Sequence, residues 1–143
     1  MKASDLHLRY QTSSETSYTD LDLKGNVLTY TYFSDDENRC AQWFKNSPCW
    51  TEADLKSRTI TLSDQEMAAL LALVKASGCF ELEGNSFGEP NLRTRSYTET
   101  LSVKLGDQER KLRYRSSLEA EAKPGAFAQL EQALREQIKQ QAQ

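Results

Sequence analysis

The stretch from Ser17 to Phe33, S-Y-T-D-L-D-L-K-G-N-V-L-T-Y-T-Y-F, decides the fold class. Two runs with alternating character, 18–23 and 27–33, flank the tripeptide Lys24-Gly25-Asn26. Such alternation is typical of strands with one buried face, and Gly and Asn adopt the positive φ angles of a tight turn at little cost. The sequence therefore predicts an antiparallel β-hairpin here.

Strand patterns recur on both sides of this hairpin. Leu6, Leu8 and Tyr10 alternate with polar residues, and a short strand is predicted over 58–62. A second hairpin is predicted from strands 97–105 and 110–115 around a turn at 106–109, whereas residues 83–92 have the Gly, Asn and Pro content of a loop. Hairpins favour an antiparallel sheet.

Two helices are predicted from capping signals and apolar spacing. Ser63 and Glu66 form a capping box before a helix that ends at Gly78, and Pro124 marks the start of a second helix. Each helix has a single apolar stripe, which must be buried against a sheet face. We therefore predict an α+β fold, an antiparallel β-sheet built from hairpins with two amphipathic helices packed on one face.

Length and composition limit the classes of protein that fit. The 143 residues suit a single domain over 1–143, and the 38% hydrophobic content includes no apolar run long enough to span a membrane. A net charge of -3 gives no overall basic field for nucleic acid. Residues 1–92 hold 8 Lys/Arg against 14 Asp/Glu and residues 93–143 hold 10 against 7, and we favour mutual neutralisation of these halves in the fold. A monomer and a homodimer both remain open.

No catalytic or metal-binding motif occurs in the chain, so we predict a protein that is not an enzyme and has no cofactor or metal. The single histidine, His7, is expected to face outward from a strand. Asp20 and Asp22 share one strand face, where cross-strand Lys or Arg could pair with them. A small enzyme using these two carboxylates is a third-ranked alternative.

The long polar segment 34–52 carries two of the three cysteines, Cys40 and Cys49. A disulfide between them would organise a segment with few aliphatic anchors, and it would place the protein in an oxidising compartment. Cys79 follows the helix-ending Gly78 and is expected to be a buried free thiol. Reduced cysteines would fit a cytosolic protein equally well. The chain opens without a signal segment, and we presume that one has been removed if the protein is exported.

The same segment concentrates three aromatic residues, Trp43, Phe44 and Trp50. Aromatic side chains on a constrained protrusion are what a protein–protein hot spot requires, because they bury much area with few rotatable bonds. Alternatively, these side chains fold back and close one end of the core.

A second candidate surface is basic. Lys111, Arg113 and Arg115 alternate along one strand and are inferred to share the outer sheet face with Lys104, with Arg93 and Arg95 nearby. Such a stripe would attract an acidic partner. Alternatively, it is a solvated face whose charges discourage aggregation of strands.

The order of elements from about residue 55 to 140 resembles that of small bacterial secreted or envelope domains, among them the protease inhibitor family emfourin. The resemblance rests on residues 62–66 and their helix, on 78–82, on the hairpin that begins at 97, and on 124–127 with the closing helix. Arg93-Thr94-Arg95 departs from it, standing where such domains more often have an acidic residue, and segment 40–49 has no counterpart. The resemblance implies inhibition of another protein.

From these features we expect a bacterial protein of the periplasm or cell envelope that binds or inhibits another protein through Trp43, Phe44 and Trp50. The alternative is a cytoplasmic domain that binds an acidic partner through Lys111, Arg113 and Arg115.

Overall fold

A computed structural model of the chain describes residues 5–45, 47–91, 93, 96–117 and 120–141. It consists of one sheet and two α-helices, which confirms the predicted α+β class. In chain order the elements are β1 (Leu6–Ser13), β2 (Tyr18–Lys24), β3 (Val27–Phe33), β4 (Leu55–Thr61), α1 (Asp64–Ser77), β5 (Ser86–Gly88), β6 (Tyr97–Leu105), β7 (Gln108–Ser116) and α2 (Gly125–Gln141), with a short 3-10 turn at Glu52–Asp54 before β4.

The seven strands are ordered β4-β3-β2-β1-β6-β7-β5. Every neighbouring pair is antiparallel except β5 and β7, which are parallel. The prediction of a plain loop over 83–92 was therefore wrong, because residues 86–88 form the edge strand β5. Three residues with no alternation of their own give no local strand signal, and their pairing depends on a strand 25 or more residues away.

The core lies between the helices and one face of the sheet, which we call the covered face. Strand residues such as Leu8, Leu23 and Leu101 are fully buried there, in one cluster with helix residues such as Leu70 and Leu134. The opposite or outer face carries the alternate residues, which are mostly Thr, Ser and charged. The sheet thus has one mainly apolar side and one mainly polar side.

Helix α1 begins and ends as its sequence predicts. The Ser63 hydroxyl accepts the Glu66 N–H while the Glu66 carboxylate accepts the Ser63 N–H, and Gly78 ends the helix in the left-handed conformation at φ 76°. In the described chain, no helix is long and apolar enough to cross a membrane.

Candidate functional site

The predicted aromatic segment 34–52 is a loop between β3 and β4 that is closed by a disulfide. Cys40 and Cys49 lie at bonding distance with their Cα atoms 5.9 Å apart, and both are buried. The carboxylate of Asp35 accepts the backbone N–H groups of Arg39 at 3.0 Å and Cys40 at 2.9 Å. These contacts fix the chain as it enters the disulfide ring.

Two ion pairs hold the sides of the loop. Arg39 binds Asp54 at 2.7 Å, and Lys56 at the start of β4 binds Asp36. The hydrogen bond from Arg39 lowers the pKa of Asp54, and that from Lys56 lowers the pKa of Asp36, so both carboxylates stay ionised in mildly acidic solution. The pairs are exposed to solvent, so they orient the loop more than they stabilise the fold.

Trp50 fastens the base of the loop to the turn between β1 and β2. Its indole N–H donates to the Ser14 carbonyl at 2.9 Å, and its ring packs edge-on against Tyr18 with centroids 5.1 Å apart. The neighbouring Cys49 N–H donates to the Glu15 carbonyl at 2.7 Å. The base of the loop is therefore tied to the sheet as well as to itself.

The tip presents the other two aromatic residues. The Trp43 indole N–H donates to the Ser47 carbonyl at 2.7 Å, the Lys45 ammonium lies 5.5 Å from the centre of the Trp43 ring, and the ring is half-buried. Phe44 is 88% exposed, the highest value for any large hydrophobic residue of the described chain. Phe44 thus stands in solvent on a backbone that a disulfide, ion pairs and Trp50 hold in place.

The three predicted site aromatics therefore fall into two groups. Phe44 and Trp43 are at the tip, where a partner could contact them, whereas Trp50 is half-buried against Tyr18 and positions the loop. The sequence shows that these residues share one segment, but which of them face solvent depends on contacts with the β1–β2 turn, more than 30 positions away.

The predicted basic stripe is also divided. Lys111 and Arg113 are exposed on β7, as is Lys104 on β6, and none of the three forms an ion pair with a described residue. Arg115 is half-buried and donates to the carbonyls of Glu89 at 2.9 Å and Asn91 at 3.4 Å, so it holds the chain after β5. Arg95 lies outside the described residues, and the acidic partner stays a prediction.

The paired carboxylates on the outer face have partners of their own. Arg9 binds both oxygens of Asp20, at 2.7 and 3.0 Å, and this hydrogen bonding raises the pKa of Arg9. His7 Nε2 lies 2.7 Å from Asp22 on the same face. Both oxygens of Asp20 therefore accept hydrogen bonds from one guanidinium, the cross-strand pairing that the sequence predicted.

Cys79 is fully buried beside Val74, as predicted, and burial raises the pKa of its thiol. The thiol is therefore protonated and shielded at neutral pH. Within residues 5–45, 47–91, 93, 96–117 and 120–141, no three His, Cys, Asp or Glu side chains are grouped to hold a metal ion.

One polar cluster was not predicted from the sequence. At one end of the core the Tyr10 hydroxyl donates to Glu99 at 2.5 Å, and Lys123 binds Glu99 at 2.6 Å and Glu131 at 2.5 Å. Arg135 binds Glu131 at 2.9 Å and donates to the Tyr10 hydroxyl at 3.3 Å. The signal that could have revealed it is Glu99, a charged residue at an inward position of an otherwise apolar strand face.

Charge pairing sets the protonation of this cluster. Burial alone would lower the pKa of Lys123, but its hydrogen bonds with Glu131 and Glu99 outweigh burial and raise that pKa. Burial and the hydrogen bond to Glu99 raise the pKa of Tyr10. The cluster therefore contains two cations, two carboxylates that they neutralise, and a neutral tyrosine, an arrangement suited to holding elements together.

A scan against protein-family models and a search of curated proteins each gave no match to the chain.

Proposed function

We propose that this protein is a bacterial cell-envelope protein, not an enzyme, that binds or inhibits another protein through the tip of its disulfide-closed loop, with Phe44 as the anchor. The observation that carries the proposal is the exposure of Phe44 on a constrained backbone. The exposed Phe44 ring is available to a partner, and a fixed loop loses little entropy when it binds.

The loop has a fixed base and an exposed tip, and this arrangement supports the proposal. Trp50 and the disulfide hold the base, so the tip can offer Trp43 and Phe44 in one arrangement before a partner arrives. Aromatic side chains at the centre of an interface carry a large share of binding energy. Inhibition would follow if the tip of the loop entered the active-site cleft of an enzyme partner.

The binding surface can be located by photocrosslinking. Benzoylphenylalanine is placed at position 44 in one variant and at position 113, on the basic stripe, in a second, and each is exposed to envelope extract of the source organism. We expect a crosslinked protein from position 44. The same product from position 113 alone would contradict the loop and favour the acidic partner of Lys111, Arg113 and Lys104.

Affinity for the identified partner then tests the anchor. Phe44→Ala should weaken binding by at least about tenfold, because truncating a central aromatic costs more than about 1.4 kcal/mol. Gln42→Ala, at a neighbouring exposed position, is the matched control and should bind normally. Equal affinity of both variants and wild type, with unchanged melting temperatures, would reject Phe44 as the anchor.

The thiol count tests the proposed compartment. Protein taken from its native host without reductant, denatured and alkylated, should gain one label, at Cys79, and peptide mapping should join Cys40 to Cys49. Three labels would contradict an oxidising compartment and favour the cytoplasmic alternative. Because Cys79 is buried, the folded protein should resist alkylation, which provides an internal control.

A further inference from the structure

Strand β4 forms one edge of the sheet, and within the described chain it pairs with β3 alone. It is seven residues long, so the edge that points away from β3 has an extended row of backbone N–H and C=O groups. An edge of this length is a template on which another strand can form hydrogen bonds.

The register shows which peptide groups face that open side. Leu62 N–H donates to the Asn26 carbonyl at 2.8 Å, and this pair continues the β3–β4 register, in which Leu28 is opposite Ile60. Hydrogen-bonded pairs alternate along an antiparallel ladder. Lys56, Arg58 and Ile60 therefore direct their peptide groups at β3. Ser57 and Thr59 direct theirs toward the open edge.

The side chains of β4 give this edge a chemical preference. Lys56, Arg58 and Ile60 lie on the covered face of the sheet, and Ser57 and Thr59 lie on the outer face. Arg58 is half-buried and forms no ion pair with any described residue, whereas Lys56 has only the solvent-exposed pair with Asp36. The edge thus carries two cations, one of them uncompensated.

An added antiparallel strand would meet these cations at close range. Its hydrogen bonds would go to Ser57 and Thr59, so the residues opposite Lys56 and Arg58 would occupy non-hydrogen-bonded pairs, where Cα atoms approach to about 4.5 Å. A carboxylate at such a position can form a direct cross-strand ion pair.

We propose that β4 is a docking edge for an extended segment of a partner protein. That segment carries acidic side chains opposite Arg58 and Lys56 and an apolar side chain opposite Ile60. This goes beyond the proposed function, since it concerns a surface that does not include Phe44. The edge starts directly after the disulfide-closed loop, so one partner could contact both.

A second copy of β4 fits this edge less well. Self-pairing centred on Ser57 would set Lys56 opposite Arg58, and pairing centred on Arg58 would set that residue opposite itself. Centring on Thr59 leaves Arg58 facing Ile60 without a counter-charge. Charge complementarity therefore favours an acidic strand.

The probe is a fluorescein-labelled peptide, Thr-Val-Thr-Glu-Thr-Glu-Val, titrated with the full chain up to about 1 mM and followed by anisotropy. Its charge-reversed form has Lys in place of Glu. Two further forms are N-methylated, one on the two Thr that face Ser57 and Thr59 and the other on the two Glu, whose amides point away from β4.

We expect the acidic peptide to bind. The charge-reversed form and the Thr-methylated form should bind at least about tenfold more weakly, and the Glu-methylated form should bind almost as well as the parent. Equal binding of the two methylated forms would overturn strand pairing. No binding of the acidic peptide would overturn the proposal altogether.

Variants of the chain give a second, independent test. Thr59→Pro removes an N–H that faces solvent, a position where edge strands tolerate proline, and Thr59→Ala keeps that donor. We expect Thr59→Pro to lose binding at an unchanged circular dichroism spectrum and Thr59→Ala to retain it. Arg58→Glu, in which Lys56 is unchanged, should lose the preference for the acidic over the charge-reversed peptide. A dimer in sedimentation that Thr59→Pro abolishes would show a second copy as the occupant instead. Phe44→Ala should bind the peptide normally, so failure of the loop proposal would be distinguishable from failure of this one.

Discussion

Glu131 links two cations at the end of the core where β1, β6 and α2 meet. Its carboxylate accepts from Lys123 at 2.5 Å and from Arg135 at 2.9 Å, and it is almost fully buried. Replacing it leaves two positive groups close together without their common counter-charge. Removing one member of a buried charge cluster is costly because the remaining charges stay desolvated.

We therefore expect Glu131→Gln to lower the free energy of unfolding by about 3 kcal/mol, measured by urea denaturation at pH 7. Glu136→Gln is the matched control, since Glu136 lies on the same helix α2 and accepts a hydrogen bond from Gln132. Its expected cost is below about 0.5 kcal/mol. Equal costs for the two variants would contradict a stabilising role of the cluster.

The positions of some residues could be predicted from the sequence, and those of others could not. The buried thiol of Cys79 and the inward position of Tyr10 follow from local patterns, and both agree with the structure. The split between Phe44 and Trp50 could not be predicted, because the two aromatics stand in similar polar surroundings along the chain. Their difference arises from Ser14 and Tyr18, which meet Trp50 only after the sheet has formed.

At the scale of elements, β5 depends on one glycine. Gly88 has φ +89°, and a Cβ built on it would lie 2.2 Å from the carbonyl oxygen of Arg115 on β7. The backbones of β5 and β7 approach each other too closely there for any side chain. Gly25 in the β2–β3 turn also has a positive φ, +63°, but nothing lies within 4 Å of its Cβ position.

Alanine substitutions at Gly25 and Gly88 separate the cost of a strained backbone from the cost of steric crowding. Gly25→Ala should cost about 1–2 kcal/mol in the free energy of unfolding, the usual penalty for a left-handed alanine. Gly88→Ala should cost more, because β5 must also move away from β7. Amide hydrogen exchange should then show loss of protection at Arg113, whose N–H donates to the Asn85 carbonyl at 2.7 Å. Similar costs with protection retained would contradict this account.

The elements that the sequence predicted best are those made by neighbours in the chain. The two hairpins and the capped helix α1 depend on turns and caps within a few residues, so local chemistry determines them. The parallel strand β5 and the start of β4 at Leu55, three residues before its predicted start, depend on distant partners. Local patterns carry no information about those partners.

At the scale of the whole molecule, mutual neutralisation of the two charge halves stays a prediction, and it involves no direct ion pair among the described residues. In the described chain, every ion pair joins two residues of the same half, such as Arg39 with Asp54 or Lys123 with Glu131. Residues 1–92 supply β1 to β4 and the short edge strand β5, whereas residues 93–143 supply β6 and β7. The strands β1 to β4 therefore lie together on one side of the sheet, and β6 and β7 lie between β1 and the edge strand β5.

The two proposed surfaces are consequently well separated from the basic stripe. Strand β4 and the loop that precedes it lie at one edge, and Lys111 and Arg113 lie on β7, with four strands in between. At about 4.8 Å per strand this is roughly 24 Å. Substitutions on one side should leave binding on the other unaffected.

Because the two tryptophans lie at opposite ends of the loop, their fluorescence can report separately on its tip and its base. The chain has only two, Trp43 at the tip and Trp50 at the base. A variant that keeps Trp43 alone places its fluorescence where a partner would land, and one that keeps Trp50 alone reports whether the loop is still seated on Tyr18. Ligand arrival and loop detachment, which most assays merge, would then give separate emission signals without any added dye.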